Sequence, residues 1–374
     1  MSLQLNGTDG VTFNDGSEQW AAASPIGTKN LIINGDMMIA QRGTIVTGIT
    51  LFGYFTVDRW KHDNYNAGTW TMSQDTDVPT GQGFANSLKM TCTTAQASLP
   101  ADARLQQAYR IEGQHLQHLK YGSSNAESLT LSFWVKTNKT GTYVINLQDL
   151  NNSKNIGSQY TVSSANTWEK KTLTFSGNTS NNFDNDNNAS LVIEFWFGAG
   201  SDKTTGTPPT TWTTVDQTTR AGGITVNLAD STSNYANITG VQLEVGDTAT
   251  PFEHRPYDME LARCQRYYQK MEASTSQYFD SGWVYTSSTF AMIHTWTVPM
   301  RIAPTSMDTT GTASDYRVAY AASGTPCTSI PNINQTGASA ARIHFPTAAV
   351  LTVGHAAAGF TNSSNAYLGF SAEL

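Results

Sequence analysis

Tryptophans at alternating positions of two predicted strands are the residues in this sequence best suited to ligand chemistry. The segments SLTLSFWVKT and SLVIEFWFGAG each alternate apolar and polar residues around a tryptophan. Because successive side chains of a strand point to opposite faces, Trp134 and Trp196 fall on the side away from the apolar residues. An indole ring stacks on the C–H face of a sugar, while nearby polar groups bind the hydroxyls. We predict one glycan-binding face, which these tryptophans share with Lys136, Glu194, Asn146 and Gln148.

In a second interpretation, this face is covered by protein and cannot bind a ligand. The segment SDKTTGTPPTTWTTVDQTTRAGG (201–223) is long and rich in Thr, Gly and Pro. Loops of this length without structure of their own are often functional or contact a partner. Either this loop or another subunit would then cover the two tryptophans, and the sequence leaves both interpretations open.

Carboxylates and histidines offer two places for a metal ion. Asp36, near the first predicted strand, and Glu244, in the last strand of the sandwich, would meet where the sandwich closes, and backbone oxygens would complete a structural calcium shell. His115 and His118 in QHLQHL could bind a metal if they lie on one helix. Ordinary turn, edge and packing roles are the alternative for all four residues. No other cofactor is predicted.

The sequence contains none of the motifs of several common enzyme classes. G-x-S-x-G, H-E-x-x-H, the P-loop and the dinucleotide-binding glycine fingerprint are all absent. We therefore expect a protein without catalytic residues. Glycoside hydrolysis stays open as an alternative, because its pair of carboxylates forms only in three dimensions.

Composition and charge argue against several classes of function. The net charge of −7 and the lack of a basic cluster disfavour nucleic-acid binding, which needs cations for the phosphates. No apolar run reaches the length of a membrane span, and the N-terminus has no signal-peptide pattern. The three cysteines, an odd number set far apart, are expected to be buried thiols of a protein assembled in a reducing cytosol.

Alternating strands and turn-rich connections must position the candidate residues. TYVINLQDL (142–150) and WEKKTLTFSG (168–177) alternate like the two tryptophan strands, and the apolar faces together predict a two-sheet sandwich. The predicted fold is all-β, with this two-sheet sandwich, a short linker helix and a C-terminal β-domain. The predicted boundaries are 1–27 for an N-terminal attachment segment, 28–255 for the sandwich, 256–272 for the helix and 273–374 for the C-terminal domain.

One amphipathic helix is predicted in DMELARCQRYYQKM, with Asp258 as its N-cap. Apolar residues at helical spacing form one stripe along it, which consists of Leu261, Cys264, Tyr268 and Met271. This stripe needs cover from the adjoining domains or from other copies of the chain. Arg263 and Arg266 are predicted to form interdomain or intersubunit pairs.

Several motifs, in order along the chain, resemble those of tail-fibre proteins of tailed bacteriophages. They are NLIINGDMMIAQRGT, GYFTVDRWK, LSFWVKT, WEKKTLTFSG, SLVIEFWF and ITGVQLEVGDTATPFEHRPYDMELARCQRYYQK, of which the last is the most specific. The sandwich is also similar to carbohydrate-binding modules of the galactose-binding or jelly-roll kind. The resemblance covers most of the chain, and it implies a virion protein, usually a homotrimer, that touches the host surface.

The sequence and this resemblance together predict a virion fibre or receptor-binding protein that adheres non-covalently to a host-surface polysaccharide. Its N-terminal segment would contact other tail or virion proteins, and assembly would take place in the cytoplasm of the host bacterium. Two alternatives stay open. A structural virion component, such as a tail adaptor or head fibre, would bind no glycan, whereas a capsule depolymerase would cleave one.

Overall fold

Antiparallel strands form most of the regular structure in the computed structural model, which describes residues 11–12, 18–19, 29–272, 277–304, 306–321 and 323–374. A two-sheet sandwich is followed by a short helix and a C-terminal β-domain. The prediction of an all-β, jelly-roll fold with a linker helix is confirmed. Most of the predicted attachment segment, 1–27, lies outside the described residues.

Two short strands that pair with each other are followed along the chain by the strands of the sandwich. In order they are β1 (Val11–Thr12), β2 (Glu18–Gln19), β3 (Ile45–Ile49), β4 (Gly53–Tyr54), β5 (Trp60–Tyr65), β6 (Thr69–Asp75), β7 (Ser87–Thr94), β8 (Arg104–Glu112), β9 (Leu129–Thr137), β10 (Gly141–Asp149), β11 (Lys154–Val162), β12 (Glu169–Phe175), β13 (Ala189–Ala199), β14 (Thr213–Thr214) and β15 (Tyr235–Val245). β1 and β2 form a separate two-stranded sheet. The connections include one short α-helix, α1 (Ser201–Thr204), and the 3₁₀ turns Gly113–His115, Gln117–Leu119, Gln217–Thr219 and Leu228–Asp230.

Two antiparallel sheets pack face to face around one core. The β13 sheet has the strand order β14-β11-β10-β13-β8-β5-β4, and the β9 sheet has the order β12-β9-β15-β7-β6-β3. Leu131 and Phe133 of β9 and Ile193 and Phe195 of β13 are fully buried. The ring centroids of Phe133 and Phe195 lie 5.2 Å apart. The apolar faces predicted from alternation therefore meet in the core.

Residues 30–43, expected to contain the first strand, form turns and irregular backbone instead. In this segment, side-chain amides form hydrogen bonds that a neighbouring strand would otherwise form. The amide of Asn30 bonds to the backbone of β15, and that of Asn34 bonds to both backbone groups of Ile39. Such local bonds compete with regular secondary structure, and the bonds of Asn30 fix the segment against β15.

The C-terminal domain is a second all-β unit with its own core. After the helix α2 (Tyr257–Gln265), its strands are β16 (Tyr268–Glu272), β17 (Tyr278–Thr286), β18 (Thr289–Thr295), β19 (Ser306–Asp308), β20 (Tyr316–Tyr320), β21 (Ser323–Pro326), β22 (Asn332–Thr336), β23 (Ala340–Pro346), β24 (Ala356–Thr361) and β25 (Tyr367–Ser371), with a 3₁₀ turn at Ala313–Asp315. One sheet has the order β16-β25-β19 and the other β21-β20-β24-β17-β18-β23-β22. Phe290, Tyr316 and Phe345 are fully buried between the strands.

The linker helix is shorter than predicted. Pro256, and not Asp258, is the N-cap residue of α2, while Asp258 lies in the first turn, where its charge suits the helix dipole. The helix ends at Gln265, and the chain then forms β16 where the prediction continued the helix. Aromatic residues favour strands, and the ladder with β25 satisfies the backbone of β16.

Charged side chains join the C-terminal domain to the sandwich. Arg266, just after α2, donates two hydrogen bonds to the carboxylate of Glu112 at the end of β8, over 2.9 and 2.8 Å. The hydroxyl of Tyr267 donates to the same carboxylate. Burial opposes the ionisation of Glu112, but these donors outweigh it and lower the pKa of its carboxyl group. At the other end of the domain, Glu373 pairs with Arg59 of the sandwich.

The cysteines are buried, as their number and spacing predicted. Cys92, Cys264 and Cys327 all carry free thiols. Burial raises the pKa of Cys327 to about 12, so this thiol stays protonated at neutral pH. None of the helices in the described ranges has the length and apolar character needed to cross a lipid bilayer.

Candidate functional site

The two tryptophans predicted to bind a ligand lie on different sheets. Trp134 belongs to β9 and Trp196 to β13, so their side chains project from opposite outer faces of the sandwich. The prediction of one shared glycan-binding face is therefore wrong. Alternation assigns a side chain to the outside of its own sheet, but it does not say which strands become neighbours.

The Trp196 face is covered by the loop 201–223. Trp196 is fully buried and packs with Ala221 of the loop and Val144 of β10. Arg220 of the same loop forms an ion pair with Glu194, and its guanidinium lies 5.5 Å from the centre of the Trp196 ring. Of the two interpretations left open by the sequence, cover by the loop is the one that the structure shows for this tryptophan.

The polar residues predicted beside Trp196 serve this buried contact. Asn146 and the indole N–H of Trp196 both donate to Oε2 of Glu194, over 2.9 and 3.3 Å. Asn155 of β11 donates in turn to Asn146 over 2.9 Å. Gln148, two residues further along β10, is half-buried. Asn146 and Glu194 therefore hold the loop in place and are closed to a ligand.

Trp134 remains accessible, in a cleft on the outer face of the β9 sheet. Its side chain is half-buried, and its indole N–H donates no hydrogen bond to the part of the chain that the structure describes. The cleft has a volume of about 460 Å³, within the usual range for small-molecule sites. We name it the Trp134 cleft, and its lining residues are Gln82, Phe84, Ser132, Trp134, Lys170, Gly240, Ala249, Thr250, Pro251, Phe252 and His254.

One wall of the Trp134 cleft is aromatic. The ring centroids of Phe84 and Phe252 lie 5.1 Å apart, and the His254 ring lies 5.3 and 5.0 Å from them. Phe84 precedes β7, whereas Phe252 and His254 follow β15. Strand alternation does not identify these three residues, because they lie in loops. The aromatic residues of TPFEH, just before the linker helix, were the available signal.

A β-bulge at Gly240 shapes the floor of the cleft. The register between β15 and β9 shifts between Thr239 and Gln242, and Gly240 has a φ of 59°. A Cβ at Gly240 would lie 2.5 Å from Cζ of Phe84. Glycine is therefore required both by the backbone conformation and by the contact with the ring.

The opposite side of the cleft is polar. Lys170 of β12 lies directly across the ladder from Trp134 and is exposed. Among the described residues it forms no ion pair. Lys136, two residues along β9 on the same face, is engaged by Asp77 over 2.7 Å, and the indole N–H of Trp168 donates to that carboxylate over 3.0 Å. The charge of Lys136 is thus balanced, whereas the Lys170 ammonium is available to a ligand.

Glu244, a predicted calcium ligand, supports the rim of the cleft. Its carboxylate accepts hydrogen bonds from the N–H and the hydroxyl of Thr250, over 2.9 and 2.7 Å, and from the amide of Gln242 over 2.9 Å. Asp36 lies near Glu260, and burial together with that carboxylate raises the pKa of Asp36. No group of three or more His, Cys, Asp and Glu within the described ranges is placed to hold a metal ion. The donors around Glu244 do not fit a calcium site.

The predicted apolar stripe of the helix is divided between two elements. Leu261 and Cys264 lie on α2, whereas Tyr268 and Met271 lie on β16. Cys264 and Tyr268 are buried, Leu261 is half-buried, and Met271 packs against the core of the C-terminal domain. The guanidinium of Arg42 lies 3.7 Å from the centre of the Tyr268 ring. Contacts within one chain therefore cover much of the stripe.

Comparisons with known proteins yield structural similarities alone. No protein-family model and no curated protein matches the sequence. The enzymatically active domain of tailspike protein 4 of bacteriophage CBA120 has a TM-score of 0.30 at 12% identity, and the match covers 58% of this chain and 21% of that one. A family 11 carbohydrate-binding module from a cellulosomal cellulase of Clostridium thermocellum has a TM-score of 0.28 at 11% identity, covering 55% and 98%.

The CBM22-1 xylan-binding domain of Paenibacillus barcinonensis gives a similar result. Its TM-score is 0.25 at 13% identity, and the match covers 56% of this chain and 100% of that one. At these scores, the similarities assign neither a family nor a ligand to this chain.

Proposed function

We propose that this protein binds glycans non-covalently through the Trp134 cleft. The observation that carries the proposal is the half-buried indole of Trp134 in a cleft with an aromatic wall on one side and polar groups on the other. Aromatic rings pack on the apolar faces of sugars, while amide, hydroxyl and ammonium groups bind sugar hydroxyls. Gln82 and Lys170 supply such polar groups around the cleft.

The proposal is for binding without bond cleavage. The described residues that line the Trp134 cleft include no Asp or Glu. Glycoside hydrolysis ordinarily uses two carboxyl groups on either side of the scissile bond. The lining of the cleft therefore favours binding of a glycan without cleavage of its glycosidic bonds.

The setting we propose is adhesion of a bacteriophage fibre to a polysaccharide on the host surface. The motif resemblance to tail-fibre proteins supports this setting. There the protein would be a homotrimer in the virion, attached to other virion proteins through its N-terminal segment. Each sugar contact would be weak, and several copies on one virion would raise the effective affinity through multivalent binding.

Binding of the full-length protein to a glycan array and to host-surface polysaccharide tests the proposal. Trp134→Ala is expected to lower the affinity by about tenfold or more, because a central aromatic contact commonly carries much of the binding energy. Trp283→Ala is the matched control, since Trp283 of β17 is also half-buried but lies in the C-terminal domain. Unchanged glycan binding by a folded Trp134→Ala variant would overturn the proposal.

The same preparation separates the two alternatives. A depolymerase would release reducing ends from the host polysaccharide with time, whereas a binding protein would leave their number unchanged. A structural virion component would bind no glycan, and another virion protein would cover Trp134. Protection of Trp134 from chemical modification in the assembled particle, without any glycan binding, would favour that structural role.

A further inference from the structure

A cavity of about 340 Å³ lies between the linker helix and one end of the sandwich. It is lined by six basic side chains, which are Arg59, Arg110, Arg263, Arg266, His115 and His118. We name it the arginine cavity. Its strand residues come from β8 of the β13 sheet, so the cavity is separate from the Trp134 cleft on the β9 sheet.

Only two of the four arginines have acidic partners among the described residues. Arg59 pairs with Glu373 and Arg266 pairs with Glu112. Arg110 and Arg263 form no ion pair with any residue in the described ranges. The Nε atom of Arg110 is also buried without a hydrogen-bond partner. The cavity therefore presents two guanidinium groups whose charge the described residues do not balance by direct pairing.

The two histidines add hydrogen-bond donors to this set. Both belong to the consecutive 3₁₀ turns after β8. The Nε2 atom of His118 is buried without a partner, and that of His115 lies 3.8 Å from the Glu112 carboxylate. Burial lowers the pKa of both imidazoles and so favours their neutral form, which carries one N–H donor.

Arg263 is a half-buried cation that lies beside a second arginine, Arg255. Burial, and after it the charge of Arg255, lowers the pKa of the Arg263 guanidinium, and the carboxylates of Glu260 and Glu253, which pair with Arg255, oppose this shift only in part. Partly burying a cation without a partner costs free energy. In a protein with a net charge of −7, a cavity that gathers unpaired arginines is suited to receiving an anion.

We propose that the arginine cavity binds a small ligand that carries an oxyanion, which can be a carboxylate, a sulfate or a phosphate group. Planar guanidinium groups bind such oxyanions through paired N–H donors. Leu31, Ile33 and Tyr109 provide apolar walls for the carbon skeleton of the ligand. The volume of about 340 Å³ lies at the lower end of the range for small-molecule sites. The site goes beyond the proposed glycan binding and does not depend on it.

Isothermal titration calorimetry of the full-length protein at low salt tests this proposal. The probes are glucuronic acid, glucose 6-sulfate, glucose 6-phosphate and neutral glucose, so that the three anions distinguish the sources of the oxyanion. We expect at least one anionic probe to bind, neutral glucose to give no binding heat, and added salt to weaken the complex. Failure of all three anions to bind at millimolar concentration, or equal binding of glucose, would overturn the proposal.

Variants connect the binding to the cavity. Arg110→Gln and Arg263→Gln are each expected to weaken binding of the anion by about tenfold, because each removes a charged hydrogen-bond donor. Both variants keep the two internal ion pairs, and thermal unfolding verifies that they fold. Arg104→Gln is the matched control, because Arg104 lies on β8 beside Asp63, outside the cavity.

The outcome for these variants decides the location of the site. Loss of binding in both cavity variants, with normal binding by Arg104→Gln, supports the assignment. Normal binding in both cavity variants, or an equal loss in the control, contradicts it. Trp134→Ala should bind the anion like the unchanged protein, which keeps this test independent of the proposed glycan site.

Discussion

Arg220 and Glu194 form an ion pair that the loop 201–223 buries against the β13 sheet. Glu194 is 2% exposed, and its carboxylate also accepts hydrogen bonds from Asn146 and Trp196. Removing one partner of a buried pair leaves the other charge uncompensated, which commonly costs about 3–5 kcal/mol. We predict that Arg220→Met lowers the free energy of unfolding in urea by about this amount.

A surface pair gives the control for this prediction. Lys120 and Glu127 form an ion pair with both side chains well exposed, so Lys120→Met should change the free energy of unfolding by less than about 1 kcal/mol. Adding Glu194→Gln to Arg220→Met should recover part of the loss, since it removes the unpaired charge. Equal losses for Lys120→Met and Arg220→Met would contradict the buried role of the Arg220 pair.

The buried imidazole of His62 makes the stability depend on pH. Its Nδ1 lies 2.7 Å from the side-chain amide of Gln107, and burial lowers the pKa of His62 to about 4. As the pH falls below about 6.5, the unfolded chain binds this proton before the folded chain does, so acidification to about pH 4 reduces the stability. We predict that His62→Gln loses less unfolding free energy between about pH 6.5 and pH 4 than the unchanged protein.

Asp58 has the opposite effect on the pH dependence of folding stability, over an overlapping range of pH. Burial raises the pKa of its carboxyl group to about 6, so the folded chain binds this proton first and gains stability as the pH falls from about 6 to about 4. Asp58→Asn should therefore lose stability more steeply on acidification than the unchanged protein. Urea denaturation at several pH values measures both slopes, and identical slopes in the two variants would refute these assignments.

At the level of secondary-structure elements, the bulge in β15 connects the fold with the proposed glycan site. We predict that Gly240→Ala lowers the free energy of unfolding by about 1 kcal/mol or more, because alanine is strained at this positive φ. It should also weaken glycan binding, because the added methyl group would displace Phe84 from the cleft wall. Urea denaturation and the glycan affinity measure the two effects separately.

Gly246 supplies a control for backbone strain without a clash. It also has a positive φ, of 110°, but no atom lies within 4 Å of a Cβ placed there. Gly246→Ala should therefore lower the stability and leave glycan binding unchanged. If both glycine variants weakened glycan binding equally, the contact between Gly240 and Phe84 would not be the cause.

Elements with one apolar and one polar face could be predicted from the sequence, whereas those that depend on distant partners could not. β9, β12 and β13 follow from alternation because the core selects one face of each strand. The segment 30–43 and the end of the linker helix depend on bonds with β15 and β25, far along the chain. Local propensity contains no information about such pairings.

The candidate site was predictable only in part, for the same reason. Alternation identifies Trp134 as an outward residue of β9, and the length of the loop 201–223 makes it one of two alternatives for covering a tryptophan face. Neither pattern reveals that Trp134 and Trp196 belong to opposite sheets, because sheet order is a property of the whole topology. Phe84 and Phe252 meet only after the chain has folded.

At the scale of the whole molecule, the homotrimer that we propose can be tested by its mass. Large apolar side chains are exposed on the C-terminal domain, among them Tyr278, Val350, Val353 and Ile293. Exposed apolar residues of this size can mark contact surfaces when they cluster. We predict that light scattering gives a mass of about three times the 40.5 kDa of one chain. A single-chain mass over a wide range of concentrations would contradict the trimer.

The ladder between β16 and β25 also has a consequence for how this molecule can vary. Glu272 and Tyr367 are direct partners in that ladder, so the chain leaves and re-enters the junction at almost the same point. The segment between these two strands is therefore one continuous excursion of the chain, and its strands share a core with Leu368 and Phe370 of β25. The lining of the Trp134 cleft ends at His254. A replacement of the distal segment, by recombination or by design, would thus have to match the core residues of β25, whereas it would leave every residue that lines the proposed sugar site unchanged.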